Sequence, residues 1–109
     1  VALVQCPLHW ENPEANRALF SKKIAAIEES VDLVVLPEMF TTGFTMDPGN
    51  IALEEGGKTL QWLQETALQH NTAITGSVVF YEKQNFYNRL FFVHPNGHYN
   101  SYDKKHNFT

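Results

Sequence analysis

Cysteine is nearly absent from this chain: among 109 residues only Cys6 carries a thiol. One cysteine forms no internal disulfide, so any stable fold must rest on packing. Positive charge is scarce as well, with 8 Lys and Arg against 12 Asp and Glu and a formal net charge of −4. A nucleic-acid binder would normally show a basic face, and that class is set aside. Long apolar runs are missing. Spanning a bilayer takes about 20 consecutive apolar residues, and runs such as Leu33–Leu36 have only the length of a buried strand. No membrane partner is expected. Val1–Cys6 is too short for a signal peptide and leads straight into Pro7. With the lone thiol, this points to a cytoplasmic protein. Repeats, linkers and low-complexity stretches are also lacking.

What the chain does have is core material. Hydrophobic residues make up 43% and aromatics 13%, with eight Phe. Large rings dominate burial energy where they pack. Val1–Cys6 reads as a short strand. Asn12-Pro13-Glu14 reads as a helix start: Asn caps free N–H groups, Pro suits the first position, and Glu complements the dipole. Phe20, Ile24, Ile27 and Val31 then form one apolar stripe at helical spacing. The unbroken run Asp32–Leu36 predicts a strand covered on both faces. Strand, helix, strand implies a βαβ unit with parallel strands.

Pro37–Gly57 is a long connection, of the kind that is usually functional or holds local structure. Lys58–His70 predicts a second helix, with Leu60, Leu63, Ala67 and Leu68 facing inward and Asn71 near its C-cap. Thr72–Tyr81 is β-prone and interrupted by Gly76. Lys83-Gln84-Asn85 makes a polar turn. Phe86–His94 is a strand, Pro95-Asn96-Gly97 a tight turn, and His98–Tyr102 the returning strand. The expected order is β-α-β-loop-α-β-β-β, an α/β fold with helices on a mixed sheet. Residues 1–109 read as part of a domain, because no closing element follows the charged cluster at the end.

Chemistry is expected first at Glu38. It follows a buried strand and Pro37, where ligand sites of open α/β sheets lie. Leu36, Met39 and Phe40 around it would desolvate the carboxylate and raise its pKa toward general-base values. A solvated loop carboxylate is the alternative, and position alone does not separate the two. Tyr102-Asp-Lys-Lys-His106 is the second candidate. In a continuing strand Lys104 and Lys105 point opposite ways, so one ammonium could face an oxyanion. The residues alone favour a solvated charge cluster here. Phe40, Thr42 and Phe44 share a loop with Glu38 and are candidate pocket residues; core packing is the other role for both rings. Cys6, in an apolar strand with no neighbouring base, reads as buried and inert. His94 and His98 supply two ligands where zinc needs three or four, so no metal is expected. His9-Trp10 reads as a loop anchor, and Gly56-Gly57 lacks the pattern of a phosphate loop.

Two segments together resemble one family. Val34-Val-Leu-Pro-Glu-Met-Phe40 is similar to the segment that carries the catalytic Glu in nitrilase-superfamily amidases. Tyr87-Asn88 and Pro95-Asn96-Gly97, followed by Tyr102-Asp-Lys-Lys-His-Asn-Phe108, resemble the hairpin that delivers the catalytic Lys. Gln5 and Pro7 fit the family's opening. The stretch Leu36-Pro-Glu-Met-Phe-Thr-Thr-Gly-Phe44 looks closest to the omega-amidase branch. One departure is Asn107, where the family usually has Leu.

The resemblance implies the N-terminal part of an α-β-β-α sandwich. It implies an amidase acting on the terminal amide of a small 2-oxo dicarboxylic acid monoamide, such as 2-oxoglutaramate. It implies a Glu-Lys-Cys triad with Glu38 as base and Lys104 at the oxyanion, and a cysteine on a later strand that these 109 residues do not hold. No cofactor or metal is implied, the partner is a small-molecule amide, and the whole enzyme is expected as a homodimer. The 109 residues alone are expected to be inactive. The alternatives are a sibling activity (nitrilase, carbamoylase or glutaminase domain) and a noncatalytic small α/β binding module.

Overall fold

Asn12 opens the first helix as its side chain requires. In the computed structural model, which describes residues 1–4, 12–27, 30–37, 40 and 55–103, Asn12 Oδ1 accepts a hydrogen bond from the Ala15 N–H at 3.2 Å. Pro13 occupies the first turn of α1 (Pro13–Ala25) with acidic Glu14 beside it. Phe20 and Ile24 point into the core. The apolar stripe outlasts the helix, however. Ile27 and Val31 pack on the core from the connection that follows α1. Spacing alone cannot tell a helix from a chain that keeps burying the same side after the helix stops.

Five strands form one sheet in sequence order: β1 (Ala2–Leu3), β2 (Leu33–Val35), β3 (Ala73–Glu82), β4 (Asn85–Val93) and β5 (Tyr99–Asp103). β1, β2 and β3 run parallel; β3, β4 and β5 alternate. This is the expected mixed α/β sheet. The β3–β4 turn needs only Lys83 and Gln84, both at positive φ (52° and 65°), and Asn85 already belongs to the strand. Such a primed turn matches the twist of the strands it joins. Gly97 takes φ +90° in the β4–β5 turn, where the Gly97 N–H donates to the His94 carbonyl at 2.9 Å.

The second helix, α2, begins earlier than expected and spans Glu55–His70. Its inward face holds Gly56, Thr59, Leu63, Thr66 and Ala67, with Leu60 half-buried. Leu68 is 55% exposed, contrary to expectation, because one residue past Ala67 is about 100° around the helix. Asn71 ends the helix with φ 51°. Polar contacts tie the two helices together: Trp62 Nε1 donates to Ser21 Oγ at 2.8 Å, and Arg17 Nη1 to Thr59 Oγ1 at 3.0 Å.

Both helices cover one sheet face. Val34, Ile74, Val78, Phe91 and Val93 lie beneath them and are buried. On the other face Leu3 is 70% and Tyr102 54% exposed, while Leu33, Val35, Leu90 and Phe92 are half-buried. The two-sided covering expected for β2 is therefore one-sided among the described residues. Gly76 does not interrupt β3 either; the strand runs straight through it.

Candidate functional site

The carboxyl end of β2 is held at two points on β3. The Leu36 N–H donates to the Thr75 carbonyl at 2.9 Å, and the Phe40 N–H donates to the Ser77 carbonyl at 3.3 Å. Phe40 is fully buried. Its ring meets Phe20 edge-on at 5.5 Å and Trp62 at 5.6 Å. Gly76 makes room for it. A Cβ there would stand 3.0–3.2 Å from two Phe40 ring carbons and Leu36 Cβ. Phe40 thus serves as core, the second of the two roles its sequence position allowed. Glu38 falls between the two anchors in sequence and, like Thr42 and Phe44, lies outside the described residues.

The end of β5 is tied differently. Asp103 sits opposite Arg89 of β4, which sits opposite Val78 of β3. Arg89 Nε donates to Asp103 Oδ1 at 2.5 Å and Nη2 to Oδ2 at 2.9 Å. Nη2 also donates to Glu82 Oε2 at 2.8 Å. The guanidinium lies over the Phe80 ring, 4.5 Å from its centroid, with Tyr87 at 5.4 Å. Hydrogen bonding to Asp103, and then to Glu82, raises the Arg89 pKa further above its already high value. The group is a permanent cation. Lys104 follows Asp103 directly and lies outside the described residues, as do Lys105 and His106.

The two strands end toward the same end of the sheet, the carboxyl end of β3. β2, β3 and β5 all run the same way. Phe40 docks on Ser77, Ser77 faces Leu90, and Leu90 faces Tyr102, so one row crosses the sheet from the first anchor to the end of β5. Three strand spacings separate the ends of that row, about 14 Å at ~4.8 Å each. In sequence, Glu38 comes two residues before this row and Lys104 two residues after it.

The other candidates lie elsewhere. His94 and His98 flank the β4–β5 turn at the opposite end of β5, where His94 Nε2 bonds Asn100 Oδ1 at 3.0 Å. Among the described residues no three His, Cys, Asp or Glu side chains gather as metal ligands, and no helix is long and apolar enough to cross a membrane. Cys6, His9 and Trp10 lie outside the described residues. Sequence reasoning named the segment that holds Asp103 but missed its pairing with Arg89. A signal existed: a hairpin centred on Asn96 pairs residues equidistant from it, and that rule matches 89 with 103.

Comparison with known proteins gives a consistent result. The family model for carbon-nitrogen hydrolases matches residues 1–109. The omega-amidase YafV of Yersinia enterocolitica is 37% identical over 108 residues, covering 99% of this chain and 41% of that protein. The 2-oxoglutaramate amidase of Bacillus subtilis is 28% identical over 99 residues, covering 89% of this chain and 38% of that protein. The crystal structure of XC1258 from Xanthomonas campestris, a CN-hydrolase superfamily protein with an arsenic adduct in its active site, superimposes with a TM-score of 0.87 at 36% identity. It covers 95% of this chain and 39% of that one. The chain therefore spans about two fifths of the length of these relatives.

Proposed function

This chain belongs to the carbon-nitrogen hydrolase family, and we propose that it supplies the base and the cation of an amidase, Glu38 and Lys104. One observation carries the proposal. β2 and β5, the strands that precede these residues in sequence, both end toward the carboxyl end of β3, and the row Phe40–Ser77–Leu90–Tyr102 crosses the sheet between them. A gap of about 14 Å between the backbones leaves room for two side chains and a small amide between them.

On this reading the nucleophile is a cysteine outside these 109 residues. Glu38 takes the thiol proton and the thiolate attacks the amide carbon. Lys104 holds the negative charge that develops on the oxygen. The C–N bond breaks, the proton held by Glu38 passes to nitrogen, and ammonia leaves. Glu38 then takes a proton from water, whose oxygen attacks the thioester and frees the acid and the thiol. Splitting one hard cleavage into two acyl transfers needs three side chains and no metal or cofactor.

The proposed substrate is the terminal amide of a small 2-oxo dicarboxylic acid monoamide of the 2-oxoglutaramate type. The omega-amidase and 2-oxoglutaramate amidase among the relatives support this class. Thr42 and Phe44 are proposed to line the pocket. A cytoplasmic homodimer is proposed for the whole protein, its size checked by sedimentation.

The test is ammonia release from 2-oxoglutaramate by the full-length protein. Glu38→Gln and Lys104→Met are each expected to lower kcat by at least about 10²-fold. A much faster rate on a simple nitrile would replace this reading with a nitrilase one. No turnover of any amide or nitrile would leave a binding module.

A further inference from the structure

Arg89 is the one charged residue in a strand whose next four positions are Leu90, Phe91, Phe92 and Val93. Its side chain is only 12% exposed. A cation that far from water needs partners, and it has two. The fork to Asp103 is bidentate, the geometry in which a planar guanidinium holds a carboxylate most firmly. Glu82, at the tip of β3, accepts a third bond, from Nη2. A substrate carboxylate would therefore find Arg89 already matched by two negative groups, so this cation is not a substrate anchor.

Asp103 is different from Glu82 in one respect: it is the last residue of β5 and one peptide bond from Lys104. All five residues of β5 are exposed, and among the described residues the strand lies at the sheet's edge. Few buried contacts mean easy local opening. At its start, β5 is secured by the His94–Gly97 turn. At its end, the Arg89 fork is the side-chain tie.

We propose that Arg89 is a positioning residue for Lys104: by gripping Asp103 it fixes the end of β5 against β4, one peptide bond before Lys104 in sequence. The catalytic half of this inference rests on the function proposed above. A displacement of about 1 Å at a reacting group costs on the order of 10²-fold in rate, so a loosened strand end is enough to slow an enzyme that still folds.

The experiment uses the full-length protein with Arg89→Met, Arg89→Lys, Asp103→Asn, the Arg89→Met/Asp103→Asn double variant, and Glu82→Gln. Ammonia release from 2-oxoglutaramate is followed with amide hydrogen exchange over residues 99–103. Arg89→Met and Asp103→Asn are each expected to lose about 10-fold in kcat with KM within about twofold, and to exchange faster at 101–103. The double variant should be no slower than either single one, because the two act as a unit. Arg89→Lys should recover part of the loss, and Glu82→Gln should stay within about twofold of the parent. Equal losses in Glu82→Gln and Asp103→Asn would make the cluster a mere brace and overturn the proposal, as would unchanged kcat in Asp103→Asn. If the parent releases no ammonia, the function proposed above fails. Exchange then decides the structural half alone: unchanged protection at 101–103 in Asp103→Asn overturns it.

Discussion

β2 and β5 both end toward the carboxyl end of β3, and those ends are secured by opposite kinds of chemistry. At β2 the tie is apolar. Phe40 is buried against Phe20 and Trp62, and Gly76 gives up its side chain to admit the ring. At β5 the tie is ionic. Arg89 forks Asp103 across an exposed strand and leans on Phe80. Burial of a ring stabilises the whole fold, since the energy scales with area removed from water. A partly exposed ion pair adds little stability, on the order of 1 kcal/mol or less, but it fixes an angle and a distance. One tie should therefore be felt in stability and the other mainly in rate.

Phe40→Ala is the strongest way to sharpen that contrast. Emptying a fully buried ring site is expected to cost about 3–5 kcal/mol, read as a lower midpoint in denaturant. A loss under about 1 kcal/mol would mean the ring is not core and would break the comparison on the β2 side. Gly56→Ala comes next. A Cβ at this position in α2 would stand 2.6 Å from Phe80 Cδ1 and 3.1 Å from Phe80 Cα. Overpacking of this kind costs about 1–3 kcal/mol, enough to outweigh the gain of about 1 kcal/mol from replacing Gly in a helix. Because Phe80 lies under Arg89, this variant should disturb the ionic tie as well as the packing, and thermal melting with exchange at 101–103 would register it.

Asp103→Asn should move stability by no more than about 1 kcal/mol. A loss as large as that of Phe40→Ala would show that the ionic tie carries the fold after all. Cys6→Ser is expected to have the smallest effect, leaving ammonia release by the full-length protein within about twofold. A loss on the order of 10²-fold would assign Cys6 a part in the chemistry.

Much of this fold was legible from local patterns. The start of α1 follows from Asn12 and Pro13, and the hairpin strands from turns expected at Lys83–Asn85 and Pro95–Gly97, because each depends on neighbours in sequence. Legibility failed where distant residues decide. Gly76 looked like a strand breaker, since its partner Phe40 is a loop residue 36 positions earlier. Leu68 looked inward-facing, yet it lies on the far side of Ala67. Glu38 could be nominated from a strand end and a proline, whereas Lys104 needed the family resemblance before it stood out from a solvated cluster. The Arg89–Asp103 pair needed a register count across the hairpin, which follows only once the turn centre is known.

Strand β3 also divides the molecule in time. Residues 73–103 contain three antiparallel strands joined by short turns, and hairpins of that kind close in about 1–10 μs. The parallel partners β2 and β1 must instead be brought in across long connections that hold α1 and α2, which is slow because chain entropy is lost before any contact forms. The half made of β3, β4 and β5 is therefore expected to assemble first and to offer β3 as a template. The half with β1 and β2 is added to it. Substitutions in the hairpins should then slow folding, and substitutions at Phe40 should mainly speed unfolding.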